Sequence, residues 1–369
     1  MINVSNIEEL YSAVNNAANV GETIGMAPGT YVLTANAPGG AARPNGGRLD
    51  LQKNMSLIGN VGDRDAVKID SSQLPIASLR VPFSPPVTSP NRTSPIRLGR
   101  GKNTVEWLTV IGNPLAVAGI GTDLGDTTPA KIRVAHVVSG GSLRGLDVRN
   151  SGSAMAGRIL EAEIEDNDFS SAGPQPDDPP REALRLMNFI GATAAEIHAK
   201  MSGNLLHGSL YGCLLENNKT NSGIISARSN GDIFENNTSS GCWIAGAFAS
   251  ANAPAGLFSG SSSTFEAHGC KFQNNSEHGI LAEGAEVRGI TDVLFDNKAF
   301  VNLFGCTAAN NAQGDFKAYG ARAIPPVGIA GTNNVVTIER HGVSTQIVVD
   351  ATDSELPEPA HTNRVIVIS

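Results

Sequence analysis

The chain has 369 residues, with 41 Gly and 20 Pro but only 5% aromatic and 17% charged residues, a composition of many turns and few large core anchors. A formal charge of −8 argues against nucleic acid as a partner, since phosphates need a basic patch. No segment approaches the ~20 continuous apolar residues of a membrane helix.

The opening MINVSNIEEL has neither the basic nor the apolar stretch of a secretory leader. The expected location is therefore the cytoplasm, or the cell envelope or exterior if a leader has been removed. Residues 7–17 (IEELYSAVNNA) have helical spacing and predict a cap over one open end of a repeat stack, with residues 1–20 as the cap region. Short strands follow at Thr23 to Leu33, Leu49 to Asn60 and Val105 to Asn113. A Pro/Ser-rich excursion, residues 71–95, separates them, and further insertions fall at 172–180 and 246–260. Long loops of this kind often wall a functional site. The tail, residues 353–369, ends in VIVIS, a strand suited to closing the stack, and residues 21–352 form the coils of one domain, 1–369.

A repeat runs through the middle of the chain. Aligning the stretches before the Asn217, Asn236, Asn274 and Asn310 pairs places Ala135, Ala162, Ala199, Ala227, Ala267, Leu303 and Arg340 in one slot. The intervals are 27, 37, 28, 40, 36 and 37 residues, which suits coils whose loops vary while strands stay in register. A second column reads Phe169, Leu206, Phe234, Phe272 and Ala308. A third reads Leu146, Leu184, Cys213, Cys242 and Ile280, and a fourth, two residues on, Val148, Leu186, Leu215, Ile244 and Ala282. Residues two apart share a strand face, so these are interior rows. Asn150, Asn188 and Asn217 form a polar column suited to hydrogen-bonding along the stack. The four cysteines lie in interior columns without the CxxC spacing of a zinc site; they read as small buried hydrophobes, although bridges between adjacent coils are geometrically allowed.

The cap helix, the strand opening Ala27-Pro28-Gly29-Thr30-Tyr31 and the stacked Asn pairs resemble the right-handed parallel β-helix, or pectin-lyase-like, superfamily, and most of all its bacterial repeat proteins without a defined activity. The resemblance covers nearly the whole chain. It implies an all-β chain: a single right-handed parallel β-helix solenoid with an N-terminal capping helix. It also implies glycan binding along one sheet face, the superfamily being rich in polysaccharide lyases, glycoside hydrolases and uronate epimerases. No stretch matches a pectate-lyase or polygalacturonase motif, so no catalytic residue carries over.

If the Ala column points inward, its neighbours point out and form an ionisable patch centred on Glu161, Glu163, His198, Lys200, Arg228, Glu266 and His268. β-Elimination from a uronate needs a base, for which Lys200 or His198 is the candidate, and a carboxylate clamp, for which Arg228 is. Glu163 and His268 complete the candidate catalytic set, and Glu161 and Glu266 the binding set. Hydrolysis fits less well, because Glu161 and Glu163 share one strand and would flank a scissile bond poorly. The competing reading is a solvated face of mixed charge in which opposite charges stabilise stacked strands. A second outward row, Asp147, Arg185, Leu214, Trp243 and Leu281, offers Arg185 and Trp243 as substrate contacts, with Trp243 either a sugar platform or covered by the 246–260 loop, where Phe248 and Phe258 are packing partners. No dedicated metal site is legible; Ca²⁺ entering with substrate at Glu161, Glu163 and Glu266 is compatible with the pattern.

The expected function is thus a carbohydrate-active β-helix protein that binds a polysaccharide, with lyase or epimerase chemistry. The alternatives are a non-catalytic structural or adhesive envelope solenoid and an intracellular isomerase or cyclase acting on a small molecule.

Overall fold

A computed structural model describes residues 1–81, 91–122, 128–172, 181–250, 256–288, 293–324, 331–354 and 362–369. Strands dominate, and they pair in parallel across a 19-stranded sheet and a 10-stranded sheet. One coil shows the plan. The strand Ile159–Glu165 reaches a corner at Asp166, the short strand Asp168–Ser170 follows, and Glu182–Phe189 runs in the second sheet. Glu196–Ser202 then begins the next coil directly on top of Ile159–Glu165. The chain is a right-handed parallel β-helix, and the helix Ile7–Asn15 buries Leu10, Tyr11, Ala13 and Val14 against its first coils. Asn6 caps that helix by accepting from the Glu9 amide at 3.0 Å.

The interior follows the columns read from sequence. Leu146, Leu184, Cys213, Cys242 and Ile280 stack in register, as do Phe169, Leu206, Phe234, Phe272 and Ala308. The rings of Phe234 and Phe272 stack at 4.8 Å. Asn150 donates to Asn188 at 3.0 Å and Asn188 to Asn217 at 2.9 Å, so the polar column is a ladder. A second ladder joins Asn237, Asn275 and Asn311, while their predecessors Asn236, Asn274 and Asn310 take positive φ at the turn. Asn217-Asn218 belongs to a different corner, where Lys219 takes the positive φ. The four thiols are buried and free.

The Ala column needs two corrections. Ala162, Ala199 and Ala227 do align, but Ile132, not Ala135, pairs with Ala162. Ala135 lies three residues on, beside the corner residue His136, whose positive φ interrupts the alternation and lets Ala135 be buried. Phe265, not Ala267, pairs with Ala227, which also shifts Leu303 and Arg340 by two residues. A two-residue slip keeps every side chain on its own face, so alternation alone cannot detect it. Packing decides it instead: Phe265 meets Phe234 and Phe272 edge-on inside the coil.

The insertions sit where the coils would be interrupted. Arg80–Val81 and Asn91–Arg92 form an antiparallel ribbon at the base of the 71–95 excursion. Residues 82–90, 173–180 and 251–255 of the three insertions, and 355–361 of the tail, lie outside the described residues. In the tail, Arg364–Ile368 pairs with Val335–Glu339. Among the described residues, no helix is long and apolar enough to cross a membrane.

Candidate functional site

The two sheets treat their outer faces differently. Strands of the first sheet alternate buried and exposed, as a sheet with one wet face should. Strands Glu182–Phe189 and Tyr211–Asn218 of the second sheet are buried on both faces for nearly their whole length. Charged groups are therefore buried on the outside of the second sheet, where the cost of desolvation demands compensation.

The exposed patch of the first sheet stays together, with a changed order. Glu163, Lys200, Arg228 and Glu266 form one row across four coils. Glu161 and His198 pair in the row before, and His268 falls in the row after, opposite Asn230. Lys131 and Arg133, which the slip at Ala135 displaces from the aligned columns, complete these rows. Most of the charges are paired. Lys131 reaches Glu163 at 2.6 Å and Glu161 at 4.0 Å, Arg228 reaches Glu266 at 3.4 Å, His268 reaches Glu266 at 2.5 Å and His198 reaches Glu196 at 2.8 Å. Lys131, with Arg133 and Lys200 nearby, lowers the Glu163 pKa. Arg228 keeps 58% of its side chain exposed and Glu161 57%, so the groups are held in water, where such pairs are worth little.

The other outward row leads to a cavity. Asp147, Arg185, Leu214, Trp243 and Leu281 stack in register as expected, and all five are buried. Arg185 forks onto Asp147 with contacts of 2.7 and 2.8 Å. Burial pushes the Asp147 carboxyl up, but Arg185 and Arg149 outweigh it and hold it far below the usual carboxylate range. Next along, Arg144 pairs with Glu182 at 2.5 Å, and burial draws the Arg144 pKa down to about 10.

Beside these pairs lies a cavity of about 510 Å³, lined among the described residues by Arg144, Arg181, Arg185 and Arg288 and by the carboxylates Glu182 and Glu216. Its apolar wall is an aromatic corner. Trp243 packs against Tyr211 at 5.0 Å and edge-on against Phe248 at 5.6 Å, and Arg288 lies over both Trp243 and Phe248. Phe248, on the same strand as Trp243, is thus the packing partner expected of it; Phe258 instead joins the cluster around Ala247, Ala249 and Leu294. The Trp243 indole donates to Glu283 at 2.9 Å, which fixes its ring. Burial beside Glu286 raises the Glu283 pKa, against the pull of Arg322, which donates to it at 3.1 Å.

Glu216 is the carboxyl of this cavity whose pKa is raised. Burial raises its pKa to about 7, opposed by the Asn218 amide that donates to it and by Arg185. Glu216 lies two residues beyond Leu214 on its strand, in register with Met187, and is not among the residues that the sequence pattern singles out. The available signal was the company it kept: Met187, Leu214, Trp243 and Leu281 are too apolar for an uncovered face. Among the described residues, no three or more His, Cys, Asp or Glu side chains converge as a metal site.

No family model matches the chain, and no curated protein matches it. Among solved structures it is similar to the A-module of the mannuronan C-5 epimerase AlgE4 of Azotobacter vinelandii, with 11% identity and a TM-score of 0.40 over 99% of this chain and 100% of that one. It is also similar to the PL6 family polysaccharide lyase Pedsa3628 of Pseudopedobacter saltans, at 10% identity and a TM-score of 0.31, covering 99% and 91% of the two chains. A third is the surface adhesin PfbA of Streptococcus pneumoniae, at 9% identity and a TM-score of 0.26, covering 84% and 89%.

Proposed function

We propose that this protein binds an acidic saccharide in the cavity on the outer face of its second sheet and acts on it by proton transfer, as a uronate lyase or epimerase does. The observation that carries this reading is Glu216, a carboxyl with a pKa near 7 in a cavity rich in arginine and walled by Trp243 and Tyr211. The volume lies within the range of small-ligand sites. Arginine neutralises a sugar carboxylate and holds it in a fixed geometry, which makes the proton on the adjacent ring carbon more acidic. The flat indole of Trp243 suits the apolar face of the ring. Ionised Glu216 takes that proton; the carbanion's electron pair then either forms a carbon–carbon double bond as the neighbouring glycosidic C–O bond breaks, the departing oxygen taking a proton from water, or accepts a proton from water on the opposite face, and Glu216 returns its own proton to solvent.

A base with a pKa near the working pH is the efficient choice for such a step. The exposed first-sheet patch, with Lys200 or His198 as base and Arg228 as clamp, is the weaker site, because its charges lie in water, where they bind an anion less strongly than buried ones. Ca²⁺ arriving with the substrate at Glu161, Glu163 and Glu266 would belong to that patch, where Lys131 already engages the first two carboxylates.

The test is a screen of the purified protein against uronate polymers and neutral polysaccharides, following new double bonds, reducing ends and exchange of ring protons with solvent deuterium. Glu216→Gln is expected to lower the rate at least 100-fold while leaving stability intact, and the parent rate to rise with pH through about 7 as Glu216 ionises. Loss in Lys200→Ala with full activity in Glu216→Gln would move the site to the first sheet. Silence on every substrate, with no thermal shift on adding them, would leave the structural or adhesive reading.

A further inference from the structure

The corner that ends each long strand of the first sheet is a left-handed backbone position. In five successive coils it is glycine: Gly203, Gly231, Gly269, Gly305 and Gly342, with φ from 61° to 66°. That is the expected residue, since a side chain there pushes against its own carbonyl. The three preceding coils depart from the rule. Trp107, His136 and Asp166 occupy the same corner with φ of 57°, 55° and 51°. For a bulky residue this is a true outlier, and such strain persists where the side chain has a task.

The three side chains form one cluster. The Trp107 and His136 rings stack at 3.9 Å with 20° between their planes, and His136 Nδ1 lies 2.8 Å from Asp166 Oδ2. Asp166 thereby orients the imidazole, and the imidazole backs the indole. In the coil on the other side of Trp107 the neighbouring position is Gly59, whose amide donates to the Glu106 carbonyl and which has no side chain to stack on the indole. The turn that follows Gly59 and the strand that follows Trp107 bring polar groups to the same corner. Arg64 donates to the Asp166 carbonyl at 3.1 Å, and Thr109 donates to Asp65 at 3.1 Å.

We propose that Trp107, backed by His136 and Asp166, is a second saccharide-binding site, separate from the cavity and placed on the edge of the first sheet. A sugar ring lies with its C–H face on the indole, and Arg64, Asp65 and Thr109 exchange hydrogen bonds with its hydroxyls. This site deepens the proposed function by giving a glycan chain a contact remote from Glu216, yet it does not depend on catalysis.

Only two tryptophans are present, so a Trp243→Phe chain reports on Trp107 alone by fluorescence. The full-length protein is titrated with polygalacturonate, as an acidic probe, and with a soluble neutral glucan. A saturable change in emission with either polymer is expected, and the probe that produces it identifies the sugar as acidic or neutral. Gel retardation on the unmodified chain should weaken at least tenfold in Trp107→Gly, while melting temperature stays level or rises, because glycine is what the later coils use. Trp107→Asn, also tolerant of this backbone, guards against a folding defect. The proposal is overturned if neither probe changes the emission, or if Trp107→Gly and Trp107→Asn bind as the parent does. A Glu216→Gln protein that is inactive but still retarded separates failure of the cavity from failure of this site.

Discussion

Asp232 is a buried carboxylate held by neutral hydrogen-bond donors, and its pKa shows the consequence. It ends the ladder that begins with Asn167 and Asn204: its Oδ1 accepts from the Asn204 side chain at 2.8 Å and backbone at 2.6 Å, and Ser229 donates to Oδ2. Burial pushes its pKa up to about 6, against these hydrogen bonds, whereas Asp147, equally buried, is held low by Arg185 and Arg149. Raised in the folded state, the Asp232 pKa makes the native protein the better proton binder. Its contribution to stability is then fullest below pH ~4 and is lost as pH rises through about 6, a difference of roughly 2 to 3 kcal/mol. Asp232→Asn keeps an oxygen for Asn204 and removes the charge. It is expected to stabilise the protein by about 1 to 3 kcal/mol at pH 8 and by almost nothing near pH 4, measured by urea unfolding at both values. Equal effects at both pH values would show that Asp232 is not the titrating group.

At the scale of the coil, what was legible in the sequence was whatever repeats with the strand period. Interior columns such as Phe169 to Ala308 and Leu146 to Ile280 align without error because one identity, apolar, recurs at one position. The slip at Ala267 was invisible because it spans two residues, and the slip at Ala135 because a corner broke the alternation. The cavity was half legible. Arg185 and Trp243 were found by their row, while Glu216, Arg144 and Arg288 gain meaning only from burial, which depends on chain outside that row. Corner glycines offer a quantitative check. A Cβ added at Gly231 or Gly305 meets nothing within 4 Å, so the cost of Gly231→Ala is backbone conformation alone, about 1 to 2 kcal/mol. Gly231→Asn should cost less than half of that, since asparagine already takes this conformation at Asn236. Chemical denaturation of the pair tests the ordering, and an alanine variant as stable as the parent would remove strain from the account of Trp107 as well.

In the whole molecule, each coil contacts chiefly the coils before and after it, so stability is expected to be a sum of coil terms and nearest-neighbour terms. Its two ends are unequal. The first coils lie under the helix Ile7–Asn15, whereas Arg364–Ile368 pairs through Val335–Glu339 and leaves Ile366, Val367 and Ile368 exposed. Amide exchange should therefore be fastest at residues 364–368 and slowest in the central coils around Leu186 and Leu215, both fully buried. A substitution inside a ladder distinguishes this from global cooperativity. Asn188→Ala orphans the buried Asn217 side-chain oxygen and leaves the Asn150 amide with only the Glu196 carbonyl, 3.2 Å away, at a cost of about 1 to 3 kcal/mol. If coils unfold as neighbours, deuterium uptake rises in Leu146–Ser151, Glu182–Phe189 and Tyr211–Asn218 and stays unchanged in Val335–His341. A rise of the same size in every strand would mean that the solenoid opens as a single unit, and that the ladders couple coils over a longer range than nearest-neighbour contact provides.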